Sequence, residues 1–245
     1  MCWQRTTAIS YDPSHDNESP REPVVSLDDK AHALLAYIAK TPGFETNKEP
    51  DYGDYRHMGA TISAAILQAG LNWATTVQPR IGRLRTQFPE AETTTGFLRL
   101  LTQRGHVDVL SWQHDEKPKR ILGLTHFFLS EKVETEEDLK NWLLLAGNDQ
   151  RLLALHGVGE KTVDFLKILV RIPTNAVDRH LNAFLAAAGI DASGYKETHD
   201  IIDRAADLGG VDRIVFDFSI WRYMSEKRKV RNKRQNSPCA STPEV

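Results

Sequence analysis

The chain has 245 residues, 40% of them hydrophobic and 26% charged, with a formal net charge of −2. A chain of this length buries on the order of 70% of the surface its unfolded form exposes, so it can hold a core without disulfides or metals. Its longest apolar runs, such as Trp142 to Ala146, fall far short of the ~20 residues a membrane helix needs, which excludes a helical membrane protein.

The two cysteines, Cys2 and Cys239, rule out a disulfide framework, a four-cysteine zinc site and a four-cysteine iron–sulfur cluster. They point to a reducing, intracellular setting: cytoplasm and nucleoid, or a nucleus. No apolar stretch follows the first residues, so a cleaved export signal is not expected.

Residues 1–26 are polar and interrupted by Pro13, Pro20 and Pro23, and are expected to be disordered. Beyond them the pattern is helical. Ile62, Ile66, Trp73, Val77, Ile81 and Leu84 recur at intervals of three, four or seven. Arg80, Arg83 and Arg85 on this stretch suit either phosphate contacts or a solvated helix face.

Thr135 precedes the acidic turn Glu136, Glu137, Asp138 and the apolar Leu139, Trp142 and Leu143, which marks a helix start. Further apolar stripes are formed by Leu181, Phe184, Leu185 and Ala188, and by Val211, Ile214, Val215, Phe218 and Trp221. Alternating strand patterns are scarce, so the expected class is all-α.

Residues 227–234, KRKVRNKR, hold six positive charges, whereas residues 31–226 carry 22 basic against 26 acidic side chains. A polyanionic partner would therefore have to meet local patches. The run reads either as a solvated tail or as a mobile arm touching nucleic acid phosphates, in a disordered tail over 227–245.

The most informative stretch is LLALHGVGEKTVDFL, residues 152–166. Leu152, Leu153 and Leu155 end one apolar helix. Gly157, Val158 and Gly159 reverse the chain, and Val163, Phe165, Leu166 and Leu169 continue as a second helix. The glycines permit a tight turn without side chains, so another backbone can approach the amides at the second helix's start, where the helix dipole suits a phosphate. A plain helical hairpin would carry the same glycines.

Lys161 lies in the first turn of that second helix, where a cation opposes the macrodipole. It reads either as a surface lysine beside Glu160 or as an amine nucleophile favoured in its neutral form by that field. Seventeen residues on, Asp178 precedes a periodic helix in NAVDRHLNAFL. It is an N-cap, or a carboxylate facing positive charge across a groove.

LxxLHGVGEKT followed by AVDRHL resembles the helix–hairpin–helix DNA glycosylases of the endonuclease III type, whose pattern is a leucine-rich helix, PGVG, a lysine, then VD with a histidine two residues on. The resemblance covers most of residues 30–225, with KPKRILGLTHFF and ETEEDLKNWLLL standing for the helices before the hairpin and GATISAAILQAGLNW for an early helix and its DNA-wedging loop.

It implies that Lys161 is a Schiff-base nucleophile attacking the sugar C1′ and Asp178 the catalytic carboxylate, with Gly157, Val158 and Gly159 holding DNA backbone. Gln68 falls near the intercalating glutamine, and Asn72 and Trp73 lie near the same opening; for Trp73, core packing is the competing role. His156 replaces the family proline, filling its place or touching DNA backbone. His180 bonds a phosphate, orients Asp178 or is a surface group.

The resemblance further implies a helical barrel over 52–170 ending in the hairpin, and a second lobe made of 27–51 with 171–226, the cleft lying between them. The expected partner is double-stranded DNA with a damaged or modified base, bound by a monomer. No metal site is expected, and no cofactor beyond a monovalent cation on hairpin carbonyls. Two other functions remain open: a monofunctional glycosylase in which Lys161 is only electrostatic, and a non-catalytic DNA-binding module.

Overall fold

A computed structural model describes residues 25–46 and 48–235. The expected disorder of residues 1–24, the chain beyond 235 and both cysteines lie outside the described residues. Among those described, there are eleven α-helices and no strand, an all-α fold. None of these helices is long and apolar enough to cross a membrane.

Two expectations at the ends need correction. Ser26 is not part of a disordered segment: it caps α1 (Leu27–Ala39), its hydroxyl accepting the Asp29 N–H at 3.2 Å while the Asp29 carboxylate accepts the Ser26 N–H at 3.3 Å. The basic run from residue 227 does not begin a disordered tail either. α11 (Arg213–Gln235) carries it as continuous helix, because nothing before Pro238 interrupts the run.

The centre of the first lobe is α2 (Met58–Leu67). All ten of its residues are buried, as expected of a helix that is apolar or small on every side. His57 starts it: Nδ1 accepts the Ala60 N–H at 3.0 Å and Nε2 meets the Phe88 carbonyl at 3.1 Å. Burial holds this imidazole below its ordinary pKa, consistent with the neutral form that one acceptor and one donor nitrogen require.

The apolar stripe from Ile62 to Leu84 is not one helix. At Gly70 the chain takes a φ of +75°, and Asn72 accepts the Thr75 N–H at 3.0 Å to begin a π turn, Trp73–Val77, that leads into α3 (Gln78–Gln87). The stripe survives because α2 and α3 pack on each other in one core.

α4 (Thr94–Leu110), α5 (Glu116–Ser130), α6 (Glu136–Leu143), the short α7 (Asn148–Leu153) and α8 (Glu160–Leu169) complete the lobe. Thr135 caps α6 in a reciprocal pair with Asp138, as the acidic first turn indicated. Arg80 and Arg83 are half-buried and both donate to carbonyls at the end of α4, Arg80 through two nitrogens to that of Ser111 and Arg83 to that of Val109 at 3.2 Å. Arg85 stacks on Tyr55, 5.2 Å from the ring centre.

The second core joins Ala31 and Leu34 of α1 to Leu181, Phe184 and Leu185 of α9 (Arg179–Ala187), to Ile201, Ile202 and Ala205 of α10 (Gly194–Leu208), and to Phe216 and Ile220 of α11. Ile214, on the same α11, belongs instead to the first core.

Where α4 starts, backbone presses on backbone. A Cβ on Gly96 would collide with the carbonyl oxygen of Glu90 and meet the Thr93 hydroxyl at 3.1 Å. Main chain cannot swing aside as a side chain can, so Gly96→Ala is expected to destabilise the protein by about 2 kcal/mol or more. A denaturant midpoint equal to that of the unaltered protein would show that the turn before α4 yields.

Candidate active site

Lys161 and Asp178 come together. The ammonium lies 3.8 Å from Oδ2 of the carboxylate, and both side chains are largely shielded, 32% and 15% exposed. Each is placed by a helix start. Asp178 is the N-cap of α9, its other oxygen, Oδ1, accepting the N–H groups of His180 at 2.7 Å and Leu181 at 3.2 Å. The capping oxygen fixes the carboxylate plane and leaves Oδ2 for Lys161.

Lys161 stands in the first turn of α8, whose N-cap Gly159 offers no side chain. Among the described residues no acceptor meets the main-chain N–H of Gly159, Glu160 or Lys161. Three donors at the positive end of a helix dipole are therefore open to an anion.

The two hairpin glycines differ. Gly157 has a φ of +78°, which favours glycine, and a Cβ there would strike the Arg120 side chain. Gly159, with φ −116°, is in extended backbone open to any residue, and a Cβ on it would enter open space. The expectation that both are needed for the turn is thus corrected: Gly159 leaves room outside the protein, not within it.

Val158 is buried in the first core and closes the turn through its N–H to Leu155 O at 3.1 Å. His156 is exposed at the turn. No three His, Cys, Asp or Glu side chains gather as metal ligands among the described residues.

His180 serves Asp178 through its main chain. Its imidazole lies edge-on to Trp221, the ring centres 6.4 Å apart, and burial lowers its pKa, partly countered by the charge of Asp178. Trp73 is half-buried and does pack on the core: Tyr52 is 5.0 Å and Phe165 5.9 Å away, centre to centre. Phe165 stands one turn beyond Lys161 on α8. Tyr52 also meets Phe218 at 5.8 Å, and Phe218 stacks on Trp221. These rings connect α8, the π turn and α11 into one aromatic wall. Gln68 is half-buried at the end of α2, its amide 3.5 Å from Ala65 O.

Sequence reading missed what lies beneath Asp178. The carboxyl group of Asp217 on α11 accepts the Ala176 N–H at 3.0 Å, and the Tyr195 hydroxyl accepts that of Val177 at 3.2 Å while donating to Asp164 on α8 at 2.7 Å. The Asn175 amide donates to His199 O and to Asp203, which pairs with Arg213 at 2.6 Å. Every residue from 175 to 177 is thus held by a side chain from the second lobe. The available signal was positional: Asp217 sits in phase with Ile214 and Ile220, where the α11 stripe calls for an apolar residue.

Burial, above all, pushes the Asp217 carboxyl up to about 8, the charge of Asp178 adding to the effect and the Ala176 amide and Lys161 opposing it. The unfolded chain titrates this group near its ordinary 3.8. Between those values the native state holds a proton that the unfolded state has lost, so stability falls as pH rises through the window, by up to about 1.4 kcal/mol per unit. Asp217→Asn keeps an acceptor for Ala176 and cannot ionise. It is expected to remove that slope, giving the variant a relative gain at pH 9 over pH 5. Urea midpoints of both proteins across this range provide the check, and identical slopes would mean that Asp217 is ionised in the native state.

No protein-family model matches the sequence, and no curated protein sequence is significantly similar to it. Among solved structures, the fold is similar to that of the H. pylori 3-methyladenine DNA glycosylase MagIII, seen bound to 1,N6-ethenoadenine: the TM-score is 0.59 and the identity 16%, with 82% of this chain and 98% of that one covered. At that identity the likeness is one of fold.

Proposed function

We propose that the protein is a DNA glycosylase of the helix–hairpin–helix superfamily that removes a damaged or modified base from double-stranded DNA, acting as a monomer, and then nicks the strand through a Schiff base on Lys161. The observation that carries this reading is the Lys161–Asp178 pair, 3.8 Å apart at the base of a helix whose first amides are uncapped. The similarity of fold to a protein that binds a modified adenine supports it.

Cleaving the N-glycosidic bond leaves positive charge on the sugar, which a fixed carboxylate stabilises. Asp178 is fixed by its cap and would supply the opposing negative charge. Lys161 then attacks C1′, and the carboxylate beside it can accept the proton the ammonium must shed. Breaking of the C1′–O4′ bond, with a proton passing to O4′, opens the sugar and leaves an imine, which acidifies the C2′ hydrogens, so loss of one expels the 3′ phosphate. The hairpin amides would hold the backbone meanwhile, and Gln68 and Asn72 are the side chains assigned to fill the gap left by the extruded base. Tyr52 and Phe165 are buried, so stacking on a base would fall to the half-buried Trp73, Phe218 and Trp221; 3-methyladenine and 1,N6-ethenoadenine join oxidised pyrimidines and oxidised guanine as first substrates.

The test is borohydride treatment of the protein with duplexes carrying one modified base each. A covalent crosslink with base release is the expected result. Base release without a crosslink would make Lys161 electrostatic only, and no release from any duplex, with retained binding, would leave a DNA-binding module.

A further inference from the structure

The cations at the start of α5 are employed differently. Lys117 donates to Ile66 O and Ala69 O, each at 2.9 Å, closing the end of α2, and Lys119 is paired with Glu116 at 3.7 Å. Arg120 has neither kind of partner. Among the described residues no carboxylate lies within ion-pair distance of it, and its Nε is buried with no acceptor.

Its side chain lies on the hairpin instead. A Cβ on Gly157 would be 2.5 Å from Nε, 2.6 Å from Cδ and 2.9 Å from Cζ of Arg120. The guanidinium therefore sits beside the turn that leads into the Gly159, Glu160 and Lys161 N–H groups, which have no acceptor among the described residues. Lys117, its ammonium already held by two carbonyls of α2 and its end, is not part of this site.

Buried donors are nearly always satisfied, and guanidinium groups without a counter-ion are uncommon where solvent is partly excluded. Here a guanidinium whose buried Nε has no acceptor and an uncapped helix start meet around one turn. Their common deficit is an anion with several acceptor oxygens. A phosphodiester has two non-bridging oxygens, enough for main-chain amides on one side and a planar guanidinium on the other.

We propose that Arg120 is a direct ligand of the DNA phosphodiester that the hairpin amides hold, so that the site is a joint α5–hairpin clamp rather than a hairpin alone. This rests on the DNA-binding part of the function proposed above. It gives Gly157 a second purpose, since any side chain there would push the guanidinium off the turn.

The experiment measures affinity for a duplex containing a stable abasic-site analogue across a potassium chloride series, with the full chain and with Arg120→Gln. The variant is expected to bind about tenfold more weakly, and the slope of log K against log salt to shrink by about one, since one phosphate contact is lost. Arg120→Met keeps the stem that packs on Gly157 and drops the charge. It should show the same two changes at an unaltered melting temperature, which separates loss of contact from loss of fold. Unchanged affinity and slope in Arg120→Met would overturn the assignment while leaving the glycosylase reading intact. An unaltered protein with no affinity for any duplex would overturn both.

Discussion

Asp178→Asn is expected to slow base release by at least two orders of magnitude while the protein stays as stable as before. Asparagine is as good an N-cap as aspartate, so Oδ1 still accepts the His180 and Leu181 amides and α9 starts in the same place. What disappears is the negative charge on the oxygen facing Lys161. A charge positioned for the transition state is commonly worth about 3 kcal/mol or more, and each 1.36 kcal/mol is tenfold in rate. Single-turnover excision at saturating protein measures this step apart from binding. Near-native rates would reduce Asp178 to a helix cap. A side effect provides an internal check: the charge of Asp178 helps to raise the Asp217 pKa, so the pH window over which stability falls should keep its onset and end at a lower pH in this variant.

Lys161→Gln is expected to abolish borohydride trapping and strand nicking, with affinity for DNA changed only a few fold. Glutamine fills similar space but is no nucleophile, so no imine can form. Binding is spared because the hairpin donors are main-chain groups that the substitution does not remove. The variant also leaves Asp178 without its cationic neighbour, so base release need not vanish with trapping, and the two activities are to be scored separately on one gel. Full trapping by the variant would move the nucleophile to another amine.

The pair itself was legible in the sequence because each member sits at a helix start, and helix starts announce themselves through glycines, caps and the onset of an apolar stripe. Gly157 and Val158 were readable for the same reason. The fold class followed from periodicity, yet one periodic run hid a reversal: the stripe from Ile62 to Leu84 keeps its phase although Gly70 and Asn72 break the helix beneath it.

Asp217, Tyr195 and Arg120 were not legible as site residues. Their roles arise from partners 41, 18 and 37 positions away in the chain, at Ala176, Val177 and Gly157, and no local pattern encodes such pairings. The basic run was misjudged for a related reason. Charge density argued for disorder, whereas the helix it continues begins fourteen residues earlier and had already met the cost of nucleation.

The way α11 is shared has a consequence for how the molecule comes apart. One helix lends Ile214 to the first core and Phe216 and Ile220 to the second, with Asp217 between them tied to the strap that joins the lobes. Fraying it would loosen both cores at once, so neither lobe has an independent melting point to lose. The second lobe is also assembled from both ends of the described chain, since α1 rests on α10. It cannot close until the ribosome has delivered α10, and a fragment ending after α8 would leave α1 with its apolar face uncovered. Calorimetry of the whole chain should accordingly show one cooperative transition rather than two.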